Sequence, residues 1–162
     1  MAHVHEKIDF TVGVFPVYKN KVLLRFHDKY HFWAFVGGHI ELDEDPVQAA
    51  VRETKEEVGL DVTLWDGNQR MHYDARSASG AGNSLEIIPP IAMNRHFTSP
   101  SHEHINMIYF AKASTDKVEP QEGEQQDGWQ WCTKEDLETM DLRPDVKFYA
   151  NLALETLGGP SR

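Results

Sequence analysis

The chain is poor in cysteine: among 162 residues there is one, Cys132. A lone thiol closes no internal disulfide, which fits a reducing compartment. Long apolar runs are missing too. No segment approaches the ~20 consecutive apolar residues that span a bilayer, and the opening MAHVHEKIDF has no signal-peptide layout. The expectation is a cytoplasmic protein with no membrane partner. Basic residues are outnumbered, 16 against 26 acidic, for a formal net charge of −10. Such a surface repels polyphosphate backbones, which argues against a nucleic-acid partner. A small phosphate-bearing ligand is not excluded, because a bound cation changes the local field. Internal repeats and linkers are also lacking, and the length and 40% hydrophobic content suit one domain over residues 1–162.

What is present is a concentration of acid. Glu53, Glu56 and Glu57 crowd into one helical turn, on one side of a helix that advances about 100° per residue. Val47, Val51, Thr54 and Val58 fall together on another side, the stripe such a helix is expected to bury. Glu53 and Glu57 form an i,i+4 like-charge pair worth about 0.2–0.5 kcal/mol of repulsion on an isolated helix. Their place near the carboxyl end adds a dipole penalty of about 0.3–1 kcal/mol. A hard divalent cation held by carboxylate oxygens reverses both penalties. The helix ends are readable: Asp45 as N-cap, Pro46 at the first position, Gln48 completing a capping box, and Gly59 as the left-handed stop. Arg52 stands four residues before Glu56 and is expected to pair with it.

Elsewhere the pattern is mixed. Phe10–Tyr18 and Val22–Phe26 read as a hairpin around Lys19-Asn20-Lys21, with Pro16 expected at an edge or bulge. Strand-like runs follow at 32–36, 62–65, 85–88, 91–97, 104–112 and 129–132. A short helix starts after Thr133, and a closing helix covers 145–157, with Val146, Tyr149, Ala153 and Leu157 near one face. The long Gly- and Ser-rich stretch 66–84 has no period and reads as a loop. Strands, a helix, more strands and more helices predict an α/β fold with a mixed sheet.

Gly38, Glu44 and the run Arg52-Glu53-Thr54-Lys55-Glu56-Glu57-Val58-Gly59-Leu60 stand at the spacing G-x5-E-x7-R-E-U-x-E-E-x-G-U. This resembles the Nudix box at every charged and glycine position, over 23 residues. Thr54 departs from the pattern, which prefers a bulky aliphatic there. The resemblance implies an α/β/α sandwich and metal-dependent hydrolysis of a nucleoside diphosphate linked to another moiety, with Mg²⁺, or Mn²⁺ as a substitute, as cofactor. It implies Glu53, Glu56 and Glu57 as metal ligands, with a carbonyl from Gly38 or Gly37 beside them and Arg52 orienting the cluster. Glu53 is the expected group for positioning or deprotonating water, and Glu57 belongs to the catalytic set. A downstream base is sought at Glu124 or Glu122, with Glu103 as an outside candidate.

The rest of a small nucleotide-derived substrate needs basic and aromatic groups. Arg25, His39 and Phe35 are the candidates, with Glu44 beside them as a supporting group; Tyr73, Trp129 and Trp131 offer further stacking surfaces. His102, Glu103, His104 and the histidines at 3 and 5 show no closed ligand set for zinc. Cys132 reads as a buried small hydrophobe. The alternative to an enzyme is a catalytically silent Nudix-fold sensor that binds a nucleotide; retention of every box glutamate favours the enzyme. A homodimer is left open.

Overall fold

The computed structural model describes residues 6–67, 86–123 and 128–159. Its organising strand is β1 (Ile8–Tyr18), rich in β-branched and aromatic residues. A tight Lys19-Asn20 turn, with Lys19 at φ 53°, sends the chain back as β2 (Lys21–His27). The hairpin ladder is short, only Val17–Val22 and Tyr18–Lys21. β1 then leaves β2 and runs parallel to β6 (His102–Ala113), in register from Ile8–Glu103 to Val17–Lys112. The other pairings are antiparallel: β3 (Phe32–Ala34) and β7 (Trp129–Cys132) on β2, and β4 (Val62–Leu64) and β5 (Ala92–Ser99) on β6. Among the described residues the result is a mixed seven-stranded sheet.

The two-residue period of β1 separates two cores. Val12 and Val14 face Ala49 and Ala50 of α1 (Pro46–Val58), together with Tyr109. Phe15 and Val17 face the opposite way, onto Ile108, Phe110, and Val146, Ala150 and Ala153 of α3 (Pro144–Leu157). Leu137, from the short α2 (Lys134–Thr139), closes that second core. Helices therefore cover both faces of the sheet, the α/β/α arrangement. No helix among the described residues is long and apolar enough to cross a membrane.

Several expectations are revised. Pro16 lies inside a strand flanked on both sides, in register with Ala111. On the other side of β1, Val12 and Val14 donate their N–H groups to Gly38 and Val36. By alternation Pro16 occupies the next N–H position on that side, where the ladder is interrupted before Val17, so no bond is lost. On α1, Val51 is 39% exposed, and Ala49, Ala50 and Glu53 are buried instead. Small alanines let the helix approach β1 closely, and the buried stripe rotates to bring Glu53 inward. The strand at 32–36 ends at Ala34, although Val36 still forms an isolated bridge with Val14. Residues 86–88 form no strand.

Candidate active site

The site begins at the two ends of α1. The Asp45 side chain accepts from Val47 and Gln48 N–H, and Gln48 accepts from the Asp45 N–H, so the capping box forms in full. Gly59 takes φ 72°, and a Cβ there would lie 2.0 Å from the Glu119 carbonyl oxygen. That close approach brings in the acidic loop. Glu119 N–H donates to Val58 O at 3.0 Å and Gln121 N–H to Glu56 O at 2.9 Å. The orphan carbonyls of the helix end thus dock the segment that carries Glu122.

Arg52 organises the carboxylates. Its Nε and Nη2 donate to the two oxygens of Glu44 at 2.9 and 2.5 Å, and Nη2 also reaches the His39 carbonyl at 3.0 Å. Nη1 reaches Glu53 at 2.9 Å and Glu56 at 3.0 Å, which includes the i,i+4 pair. These contacts match the five N–H donors of a guanidinium. The bonds from Arg52 hold the Glu44 carboxyl below its ordinary range, and the same bonds push the Arg52 pKa upward. Both Glu44 oxygens are therefore committed to Arg52, and Glu44 also accepts from the Glu41 N–H.

Glu53 is 4% exposed and lies against the glycine turn. A Cβ on Gly38 would stand 2.5 Å from its Oε1, so the backbone approaches this carboxylate only because residue 38 has no side chain. Glu57 accepts from Arg25 Nη1 at 2.5 Å and from the Gly37 N–H at 2.9 Å. Thr54 is fully buried where the box prefers an aliphatic, and its hydroxyl donates to Ala50 O at 2.7 Å. The departure is thereby satisfied locally.

The structure brings Arg52, Glu44, Glu53, Glu56, Glu57, Gly38 and Arg25 into one assembly, with the His39 backbone at its border. Phe35 is partly buried, edge-on to Phe15 at 5.9 Å, and packs over Gly13. Trp131 donates to Asp116 O and lies 6.2 Å from Tyr18; Trp129 is 37% exposed at the start of β7. Glu103 is engaged by Arg95, whose hydrogen bonds hold its carboxyl below the usual range, a poor state for a base. Glu124, Tyr73, His3 and His5, and residues 68–84 of the predicted loop, lie outside the described residues. Cys132 is fully buried, and burial pushes its thiol up to about 12.

One cluster escaped the sequence. Asp9, His39 and His104 each offer a ligand atom, all within 4.8 Å of one another. Period two puts His102 and His104 on one face of β6, but their partners come from β1 and the glycine turn. Only the parallel register Asp9–His104 and the bridge Thr11–His39 bring these together. Burial pushes His104 down to about 4, helped by its neighbours His39, His96 and His102.

Residues 7–152 match the family model described as NUDIX domain. A solved structure described as a hydrolase of the NUDIX family from Clostridium perfringens is 37% identical, with a TM-score of 0.78 over 92% of this chain and 97% of that one. A structure described as an Ap4A hydrolase from C. elegans is 21% identical, with a TM-score of 0.56 over 91% and 93% of the two chains, and shares the fold. Among curated proteins, the CTP pyrophosphohydrolase of Escherichia coli (strain K12) is 28% identical over 51% of this chain and 57% of its own length. The 8-oxo-dGTP diphosphatase of Proteus vulgaris is 56% identical over 20% of this chain and 29% of its own length. The chain thus spans less than two thirds of these curated relatives. With a family model matched across most of its length and a relative sharing fold and more than a third of its residues, the chain belongs to the Nudix family.

Proposed function

We propose that this chain is a single-domain, cytoplasmic pyrophosphohydrolase that cleaves a phosphoric anhydride in a nucleoside diphosphate linked to another moiety, with Mg²⁺ or Mn²⁺. The supporting observation is the binding of Glu44, Glu53 and Glu56 by one guanidinium beside a glycine that leaves Glu53 room. Glu53, Glu56, Glu57 and the Gly38 carbonyl would hold the ion. Their donor atoms are all oxygen, which suits a hard cation that keeps part of its water shell. When bound, such an ion neutralises the anhydride and acidifies water.

The residues of the chain have separate tasks. Arg52 keeps the Glu53 and Glu56 carboxylates in fixed orientation, so little reorganisation accompanies the reaction. Glu53 orients the attacking water and accepts its proton as the new P–O bond forms. The bridging P–O bond then breaks, giving a nucleoside monophosphate and the phosphorylated remainder. Arg25, bound to Glu57 in this state, is in reach of the same region and supplies a planar donor for phosphate oxygen. Glu44 serves through Arg52, and the His39 carbonyl accepts from the same guanidinium.

The test is a panel of CTP, 8-oxo-dGTP, dinucleoside tetraphosphate and ADP-ribose-type compounds, each with Mg²⁺ or Mn²⁺ and products resolved by mass. Turnover of at least one supports the reading and names the substrate class. Nucleotide binding without turnover on any of them would replace it with a sensor role.

A further inference from the structure

We propose that Asp9, His39 and His104 form a second metal site, for Zn²⁺ or a similar late first-row divalent ion, distinct in chemistry from the carboxylate site. Asp9 and His104 stand opposite each other on the parallel strands β1 and β6. His39 enters from the glycine turn, held next to β1 by the Ile40 N–H bond to Phe10 O and the bridge to Thr11. One ligand atom from each lies within 4.8 Å of the others.

The donor chemistry selects the ion. Two imidazoles and one carboxylate suit zinc and its neighbours, whereas Mg²⁺ prefers oxygen alone. In a tetrahedral site, zinc–ligand bonds of about 2.0–2.1 Å set paired ligand atoms about 3.4 Å apart, so a pair 4.8 Å apart closes by about 1.4 Å. Small side-chain torsions supply that movement. The fourth position is left to water, as in a three-ligand site.

Three further observations support the assignment. Asp9 is fully buried, and a buried carboxylate needs positive charge beside it. Its Oδ2 lies 3.2 Å from His39 Nε2 and 3.1 Å from His102 Nε2. Both ring nitrogens of His102 face oxygen acceptors, Asp9 Oδ2 and the Glu6 carbonyl at 3.3 Å. His102 is thereby placed behind Asp9, where a group that orients a ligand usually sits. Among the described residues, His104 Nε2 is buried with no hydrogen-bond partner, although its ring sits among His39, His96 and His102 at 4.9–5.6 Å. A buried nitrogen with nothing to bond is costly, and a metal ion would satisfy it.

The site would matter beyond its own ligands. The His39 carbonyl accepts from Arg52, and Gly38 lies against Glu53. An ion here would fasten the glycine turn to β1 and β6, next to the residues that hold the box carboxylates. This does not depend on the hydrolase reading.

The test uses the full chain freed of metal with a chelator, then titrated with Zn²⁺ against a chromogenic competitor, alone and as Glu57→Gln, His104→Ala and Asp9→Asn. The expected result is one tightly bound Zn²⁺ in the wild type and in Glu57→Gln, and an affinity at least about tenfold weaker in His104→Ala and Asp9→Asn. X-ray absorption on the zinc-loaded wild type reads the ligands without any variant, and should show two imidazoles. Absence of tight binding overturns the proposal. So does affinity unchanged in His104→Ala, loss of the ion in Glu57→Gln, or an all-oxygen shell.

Discussion

Arg52 meets Glu44 through two parallel bonds, Nε to Oε2 at 2.9 Å and Nη2 to Oε1 at 2.5 Å. The fork leaves Nη1 to bridge Glu53 and Glu56. One residue eight positions upstream thereby sets the angle at which the arginine presents itself to the cluster.

Replacing Arg52 by Lys should remove activity almost as fully as replacing it by Ala. An ammonium is a point charge and cannot span Glu44, Glu53, Glu56 and the His39 carbonyl at once. Each variant should also lose about 1.5–3 kcal/mol of stability, the scale of hydrogen bonds to charged groups, read from urea unfolding. Wild-type turnover in the Lys variant would show that the fork is dispensable.

Glu44 also gives a pH dependence. Its folded-state pKa lies below the ordinary 4.5 because the charged form is bound by Arg52. The contribution is therefore present above that ordinary value and fades as pH falls through the lowered one. The urea midpoint should drop as pH falls below the ordinary 4.5 and through the lowered value, and Glu44→Gln should flatten that drop. Identical pH profiles for the two proteins would count against the link.

Gly38→Ala should damage the site through volume alone. The added Cβ would sit 2.5–2.7 Å from the Glu53 carboxyl atoms, an overlap of a kind that costs about 1–3 kcal/mol when relieved by small shifts. Glu53 would move away, so kcat should fall while far-UV circular dichroism stays the same. Full kcat in this variant would mean that Glu53 does not need its present position.

Glu57→Gln keeps the shape but removes the charge facing Arg25 and turns one of the two acceptor oxygens into an amide donor, so only one of Arg25 Nη1 and the Gly37 N–H keeps an acceptor. We expect kcat to fall by about 100-fold or more, with the far-UV circular dichroism of the native fold preserved. Unaltered turnover would remove Glu57 from the catalytic set.

Cys132 should be silent to thiol reagents in the folded protein, because burial both hides it and keeps it protonated. One thiol per chain should appear on denaturation. Rapid labelling of the native protein would contradict its placement between α2 and the sheet.

The local features were legible because they are written in short sequence intervals. Asp45, Gln48 and Gly59 bound α1 as their spacing requires, since caps involve residues within one turn. The strand at 129–132 and the Thr133 cap were equally readable. The buried stripe of α1 was misjudged at Val51 because hydrophobicity does not say how closely a helix will approach a strand. Alanine at 49 and 50, and a glutamate fitting over glycine, set the rotation of α1 in the tertiary structure.

From sequence alone came the spacing of the box, the helix that displays it, and hence the gathering of Glu53, Glu56 and Glu57 with Arg52. These depend on the geometry of a single helix, which the order of residues dictates. The juxtaposition of Asp9 with His104, and of both with His39, came only from the tertiary structure. Parallel pairing joins strands 95 positions apart in the chain, and register across such a distance is chosen by the burial of whole faces, not by any local signal.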